Sequence, residues 1–183
     1  TWMAGASELN QPDVRSEKGV FDPAYQPGAR LDAVGWFDSV SQELWIFGGI
    51  GYGSDITQYG MCIVGFCITH DIEFTLITGN LNELWRYQVN TSSWAWMSGS
   101  DYVNQKGIYG EKGQANSSNV PGGRYGSIGW FDSSTQEIWL FGGRGFSHDK
   151  YGVLSFIFCT ITTSKPADFT NRHFKRFLAL QRE

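Results

Sequence analysis

The chain contains one long segment twice, and this repeat limits the folds open to it more than any other feature. Residues 27–49 read PGARLDAVGWFDSVSQELWIFGG, and residues 121–143 read PGGRYGSIGWFDSSTQEIWLFGG, 94 positions later. The same offset relates Asn10 to Asn104 upstream, with no gap between, so positions 94 residues apart are equivalent. Units of this kind bury their apolar faces by stacking on copies of themselves, which predicts a solenoid, an array or a propeller.

Within each copy, short runs of aromatic and aliphatic residues are bounded by Ser, Asp and Gly. Two such runs, 33–38 and 43–47, flank a polar turn, and the runs 83–89 and 94–97 flank another. The pattern is typical of antiparallel hairpins. The sequence therefore predicts an all-β fold in which each repeat forms a four-stranded antiparallel unit.

These motifs resemble those of the Kelch-repeat family of β-propellers. The resemblance is carried by a pair of glycines after an apolar strand, by an aromatic residue soon after the pair, and by the segment NLNELWRY with a tryptophan after it. The residues are Gly48, Gly49 and Tyr52 in the first copy, Gly142, Gly143 and Phe146 in the second, and Trp85 and Trp94. In such a blade the paired glycines turn the backbone where a side chain would clash with the neighbouring blade, and the tryptophans fill the wedge between adjacent sheets.

The resemblance implies an incomplete propeller of about two blades over residues 1–152. Closing a propeller takes about 4–8 blades. We therefore expect a fragment of a larger protein or a truncated gene product. The remaining blades are expected from a longer chain or from self-association.

Two stretches depart from the repeat, an apolar insertion at 61–78 and a tail at 153–183. One hypothesis is that both are translated intron sequence, inserted at the same exon boundary of a duplicated unit. The alternative for the insertion is a genuine hairpin in which 63–66 pairs with 74–77. The tail pattern is compatible with a short amphipathic helix over 168–181, although the favoured interpretation is a read-through peptide without a selected purpose. The insertion carries charged residues and is shorter than the ~20 apolar residues of a transmembrane helix, so we expect no membrane span.

Composition excludes some partners and leaves the compartment open. The net charge of -4 argues against nucleic-acid binding, which uses clustered Lys and Arg. All three cysteines lie in the insertion and the tail, so they do not indicate a redox compartment. Asn90 and Asn116 begin glycosylation tripeptides in predicted loops, which favours an extracellular over a cytoplasmic protein.

Strand alternation predicts where binding takes place. In a four-stranded up-and-down unit, the connection between strands two and three and the connection to the next unit leave from the same end. The long loops 7–27, 50–79 and 99–121 are of these two kinds, and the opposite end carries only tight turns. Because function concentrates on long loops held by a rigid scaffold, the long-loop end is the candidate binding surface.

Two arginines at equivalent positions are binding candidates at this end. Arg30 and Arg124 enter the first strand of each repeat, where a guanidinium group can bind a carboxylate or a peptide carbonyl of a partner. The alternative, which the sequence favours, is that each arginine bonds neighbouring loop carbonyls and fixes the blade.

The other candidates are aromatic or acidic. Tyr52, Tyr109 and Phe146 could stack on a ligand, although the sequence favours them as residues that fill the space between blades. Asp55 and Asp149 recur at corresponding places in the two loops and could cap them. One carboxylate per repeat is too few for a metal, and the three histidines share no spacing, so no metal site is predicted.

The sequence predicts a non-catalytic scaffold for protein interaction, without a cofactor, whose long loops bind a protein or glycan partner. It contains no nucleophile elbow, phosphate-binding loop or paired-carboxylate motif, so no catalytic residue is assigned. The resemblance also implies an alternative, a propeller domain of a secreted galactose-oxidase-like or carbohydrate-active enzyme. In that case the catalytic residues would lie outside this chain.

Overall fold

The structure, a computed structural model, describes residues 4–53, 78–114, 116–153 and 158–162. Within these ranges the chain forms β-strands and turns and no helix, which confirms the all-β prediction. The strands, numbered in chain order, form four antiparallel sheets. Residues 61–77 of the insertion and the helix expected over 168–181 lie outside the described residues.

The first sheet has five strands, four of which are those expected from the sequence. In spatial order they are β1 (Phe21–Asp22), β8 (Ser93–Ser98), β7 (Leu84–Gln88), β4 (Glu43–Phe47) and β3 (Val34–Asp38). The strands β3, β4, β7 and β8 follow each other as hairpin partners. The fifth strand, β1, comes from the loop before the repeat and pairs with the outer edge of β8, an addition that the sequence pattern did not predict.

The second sheet is formed by β10 (Ile128–Asp132), β11 (Glu137–Phe141) and β14 (Phe158–Thr162). Its third strand comes from the tail. Phe158 pairs with Phe141 in the way that Leu84 pairs with Phe47 in the first sheet. The tail therefore supplies the strand next to β11 although it lacks the NLNELWRY motif, and sequence analysis missed this strand.

Two small sheets continue from the ends of the large ones. The first contains β2 (Arg30–Leu31), β5 (Ile50–Tyr52) and β6 (Thr78–Asn80), and the second contains β9 (Arg124–Tyr125), β12 (Arg144–Phe146) and β13 (Tyr151–Val153). A glycine pair leads into each of them. Gly48 and Gly49 have φ of 66° and 100°, and Gly142 and Gly143 have φ of 65° and 89°. These left-handed conformations favour glycine, and a Cβ atom at Gly48 would lie 2.6 Å from the Arg124 carbonyl oxygen of the second copy.

The core lies between the two large sheets. The tryptophan face of the first sheet consists of Val34, Trp36, Trp45 and Phe47, and the glycine face of the second sheet consists of Gly129, Phe131, Ile138 and Leu140. These two faces pack together. A Cβ atom at Gly129 would collide with the Trp36 ring, so the glycine makes room for the indole. Trp36 and Trp45 are 5% and 2% exposed, so these aromatic residues fill the space between the sheets.

Candidate binding site

The long loops meet at one end of the two large sheets. Lys18 Nζ donates to the Gly99 carbonyl oxygen over 2.8 Å. The amide of Asn104 donates to the Asn80 carbonyl (2.7 Å), and the amide of Gly107 donates to the Ser147 carbonyl (3.0 Å). These bonds connect the loops 7–27 and 99–121 with each other, with the end of β6 and with the segment that follows β12.

At the other end the hairpin turns are short. Val89 N donates to the Gln42 carbonyl over 3.3 Å, which links the turn after β3 to the turn after β7. The Asp38 carboxylate accepts hydrogen bonds from Val40 N and Ser41 Oγ within its own turn. Among the described residues, the two ends thus differ as strand alternation predicts.

A cleft of about 870 Å³ opens at the long-loop end. It is lined by Asn104, Gln105, Lys106, Gly107, Ile108, Tyr109, Gly110 and His148. The Ile108 side chain is 56% exposed, and Lys106 and His148 are also exposed. The cleft therefore offers an apolar side chain beside hydrogen-bonding groups and an ammonium group.

Tyr109, one of the predicted candidates, is fixed in this cleft by a second candidate, Arg124. The arginine is 1% exposed and donates Nε to the Gly122 carbonyl (3.0 Å) and Nη1 to the Gly142 carbonyl (3.3 Å). Its Nη2 donates to the Tyr109 hydroxyl oxygen over 2.6 Å. Arg124 therefore holds one wall of the cleft in place and is not itself presented to a partner.

Arg30 is held by equivalent contacts. Its Nε donates to the Gly28 carbonyl (3.0 Å) and its Nη1 to the Gly48 carbonyl (3.3 Å). The third acceptor differs, because Nη2 donates to Glu83 Oε2 over 2.7 Å. The Arg30 side chain is only 7% exposed, so its contacts are those of the structural alternative favoured from the sequence.

Glu83 is the centre of a buried charge cluster that sequence analysis did not identify. Its carboxylate binds Arg30, accepts a hydrogen bond from Trp85 Nε1 (3.0 Å), and lies 2.8 Å from Arg15 Nη2. Arg15 Nε in turn lies 2.6 Å from Asp13 Oδ2, and its guanidinium carbon lies 3.8 Å from the centroid of the Trp96 ring. The side chains of Asp13 and Glu83 are fully buried, so this end of the first repeat is closed by paired charges.

The carboxyl group of Asp13 titrates abnormally. Burial and, after it, the negative charge of Glu83 raise its pKa to about 7, although Arg15 and Arg30 favour the charged form. The contact with Arg15 by itself would lower the pKa of Asp13, whereas the pKa is raised. Burial prevails because the side chain has no exposed surface on which water could stabilise the charge.

The remaining candidates are not brought together by the fold. Tyr52 is half-buried and donates its amide to the Ala29 carbonyl (3.1 Å). The Phe146 ring packs on Tyr151 with centroids 4.9 Å apart. Asp149 is exposed and accepts a hydrogen bond from Ser147 Oγ, within the turn after β12. Asp55 lies outside the described residues.

The two tryptophans of the repeat motif have structural surroundings. Trp85 is fully buried and bonded to Glu83, and Trp94 packs on Tyr87 with ring centroids 4.9 Å apart. The described residues contain no group of three or more His, Cys, Asp or Glu placed to hold a metal ion. They also contain no helix with the length and apolar character needed to cross a membrane.

Comparison with known proteins does not assign this site. No protein-family model matches the chain, and no curated protein shows a significant match to it.

Proposed function

We propose that this chain is a non-catalytic binding module of the Kelch-repeat β-propeller type, whose long-loop end binds a protein partner. The observation that carries the proposal is the cleft of about 870 Å³ between residues 104–110 and His148, at the end where the long loops meet. The assignment to the Kelch type is supported by the glycine pairs at positive φ and by the four hairpin-connected strands of the first sheet. The tryptophans between the two sheets support it further.

The cleft has the size and rigidity of a recognition site. Ligand clefts commonly measure about 300–1,000 Å³, and this one falls within that range. One wall is fixed in advance by the hydrogen bond from Arg124 to Tyr109. Because less conformational freedom is lost on binding, a prearranged wall favours affinity.

The lining favours a protein over a glycan. Ile108, more than half exposed beside Lys106 and His148, suits a partner loop that brings an apolar side chain and a hydrogen-bonding or acidic group. The Tyr109 hydroxyl oxygen already accepts a hydrogen bond from Arg124, so only its O–H group remains to bind a sugar hydroxyl.

The test compares charge variants at the two ends of the sheets. Ile108→Glu and Lys106→Glu alter the cleft, and Val40→Glu is the matched control, because Val40 is 80% exposed in a turn at the opposite end. Affinity purification with quantitative mass spectrometry should recover a partner with the wild type and with Val40→Glu, and lose it with both cleft variants. Loss of the partner with Val40→Glu alone would contradict the proposal.

A glycan array with the same four proteins separates the two kinds of partner. We expect no glycan that binds the wild type and is lost on cleft substitution, and such a glycan would replace the protein partner in the proposal. Because the catalytic residues of the enzyme alternative would lie outside this chain, that alternative is addressed by copper titration, with paramagnetic resonance, of a protein that contains this chain together with those residues. Tight stoichiometric copper with a radical signal would overturn the non-catalytic assignment.

A further inference from the structure

We infer that the partner of the long-loop end places a carboxylate in the cleft, where the hydroxyl group of Tyr109 binds it. The inference rests on the proposed function, because it names the chemical group that the same cleft recognises. It starts from the buried guanidinium group of Arg124, which donates to that hydroxyl. A buried charge that meets no opposite charge attracts an anion from a partner.

The charge of Arg124 is buried among neutral acceptors. Its donors contact the carbonyl groups of Gly122 and Gly142 and the Tyr109 hydroxyl oxygen, and none of these acceptors is charged. The ion pairs of the described residues do not include Arg124, although the arginine is only 1% exposed. A buried cation interacts strongly with nearby charges because the dielectric constant around it is low. The site therefore favours a group that brings a negative charge to the cleft.

The first repeat shows which anion suits donors in this arrangement. There the carboxylate of Glu83 lies 2.7 Å from Nη2 of Arg30 and 2.8 Å from Nη2 of Arg15. The positions 94 residues later hold Arg124 and Tyr109, so each donor of the first repeat has a counterpart in the second. The first repeat is thus an example, within the molecule, of a carboxylate bound by this pair of positions.

The second repeat has these donors without the acid. Glu83 directly precedes β7, whereas the residue that precedes β14 in the sequence is Ile157. The two strands are equivalent, because β14 pairs with β11 as β7 pairs with β4. The sequence therefore has no carboxylate at the position that corresponds to Glu83, and the carboxylate of the partner takes its role.

The Tyr109 hydroxyl has one hydrogen-bonding function left. Its oxygen accepts from Arg124 Nη2 (2.6 Å) and from the Gly122 amide (3.4 Å), and none of its contacts with the described residues uses the O–H group as donor. Hydrogen bonds in a chain polarise each other, so a hydroxyl that accepts from a guanidinium group is a stronger donor. Because a charged acceptor gives the stronger hydrogen bond, a carboxylate suits this donor better than a neutral group.

The rest of the cleft has the matching charge. Its lining includes the exposed side chains of Lys106 and His148, and none of the described residues that line it is Asp or Glu. The ammonium group and the imidazole offer donors for the second carboxylate oxygen. Ile108 is 56% exposed in the same cleft and provides an apolar contact. The partner segment that fits therefore combines a carboxylate, from an acidic side chain or from a chain terminus, with a neighbouring aliphatic residue.

A random peptide library displayed on phage tests the inference before the partner is known. Peptides that the wild type retains and Ile108→Glu loses should be enriched in Asp or Glu beside an aliphatic residue. The enriched peptide is then synthesised with a free and with an amidated C-terminus, which distinguishes a side-chain carboxylate from a terminal one. Isothermal titration calorimetry should show binding about 10-fold weaker when the carboxylate is replaced by the amide, the loss expected for one hydrogen bond to a charged group.

Tyr109→Phe separates a direct contact with the hydroxyl from general attraction by charge. It should weaken the acidic peptide about 10-fold and leave the affinity of the amide peptide nearly unchanged. Lys106→Gln should weaken the acidic peptide about threefold, whereas Lys112→Gln should not, because Lys112 is exposed on the same loop but does not line the cleft. If Tyr109→Phe fails to fold by circular dichroism, the two lysine variants make the same comparison of acidic and amide peptides.

The outcomes distinguish this inference from the proposed function. Cleft-dependent peptides without a carboxylate, or equal losses of the acidic and the amide peptide with Tyr109→Phe, would overturn the inference and leave the binding module standing. A library that yields no peptide lost with Ile108→Glu would contradict both.

Discussion

Arg30 and Arg124 occupy equivalent positions and donate to equivalent carbonyl groups over the same distances, yet their surroundings differ. Arg30 ends on the buried carboxylate of Glu83, whereas Arg124 ends on the hydroxyl of Tyr109. The position that holds Arg15 before the first repeat holds Tyr109 before the second, so a hydroxyl group stands where the first copy has a guanidinium group. The first repeat closes its loop end with ion pairs, and the second leaves an aromatic wall beside a cleft.

A second contrast concerns two tryptophans at equivalent positions of the two repeats. Trp36 and Trp130 have nearly the same neighbours in sequence, but the first is 5% and the second 43% exposed. Among the described residues, the second large sheet packs against Trp36, and this packing accounts for the burial of that ring. The contrast leads to the following predictions.

The largest effect is expected at the internal interface. Trp36→Ala should lower the free energy of unfolding by about 3–5 kcal/mol, because it leaves a cavity between two sheets. The equivalent Trp130→Ala should cost less, about 2 kcal/mol, since that ring is partly solvated. Urea denaturation followed by circular dichroism measures both. Equal losses would contradict the contrast between the two sheets.

Replacing the third acceptor of each arginine gives the next largest difference. Glu83→Gln should lower the free energy of unfolding by about 3 kcal/mol, because it leaves Arg15 and Arg30 buried with one negative charge fewer. Tyr109→Phe should cost about 1.5 kcal/mol, the loss of one hydrogen bond to a charged group. The same urea denaturation experiment measures both losses. A more harmful Tyr109→Phe would reverse the roles assigned to the two repeats.

Substitutions in the glycine turns test how closely the two repeats approach each other within the chain. Gly48→Ala should destabilise the protein by about 1–3 kcal/mol, because the left-handed backbone and the Arg124 carbonyl both oppose a side chain. Gly126→Asp is the control. Gly126 also has positive φ, but no atom lies within 4 Å of an added Cβ, and its equivalent Asp32 adopts φ 53°. Thermal denaturation should show little change for the control, and a comparable loss would disprove the steric argument.

A further prediction is a pH dependence that arises in the first repeat. The pKa of Asp13 is about 7 in the folded protein and ~3.9 in an unfolded chain. The folded state therefore holds the proton longer, and the free energy of unfolding should fall as the pH rises from about 4 to about 7. Asp13→Asn should remove this component, and Asp101→Asn should keep it, because the Asp101 side chain is 54% exposed. Identical pH profiles for wild type and Asp13→Asn would refute the assignment.

Some of the site followed from the sequence and some did not. The strands β3, β4, β7 and β8 and the end that carries the long loops were predicted, since alternation and turn residues are local signals. The charge cluster was missed, because Arg15 and Glu83 come from segments far apart in the chain and only the sheet brings them together. The pair Asp13 and Arg15, two residues apart before a repeat unit, was the only available signal.

By itself, the sequence determined the all-β character, the hairpin pattern and the positions of the glycine turns, because backbone preferences and alternating burial operate over a few residues. Tertiary structure decided which arginine meets a carboxylate, which tryptophan is buried, and that residues 158–162 pair with β11. These outcomes depend on groups distant in the chain, and the same short motif acquires different neighbours when it lies between two sheets or at their outer face.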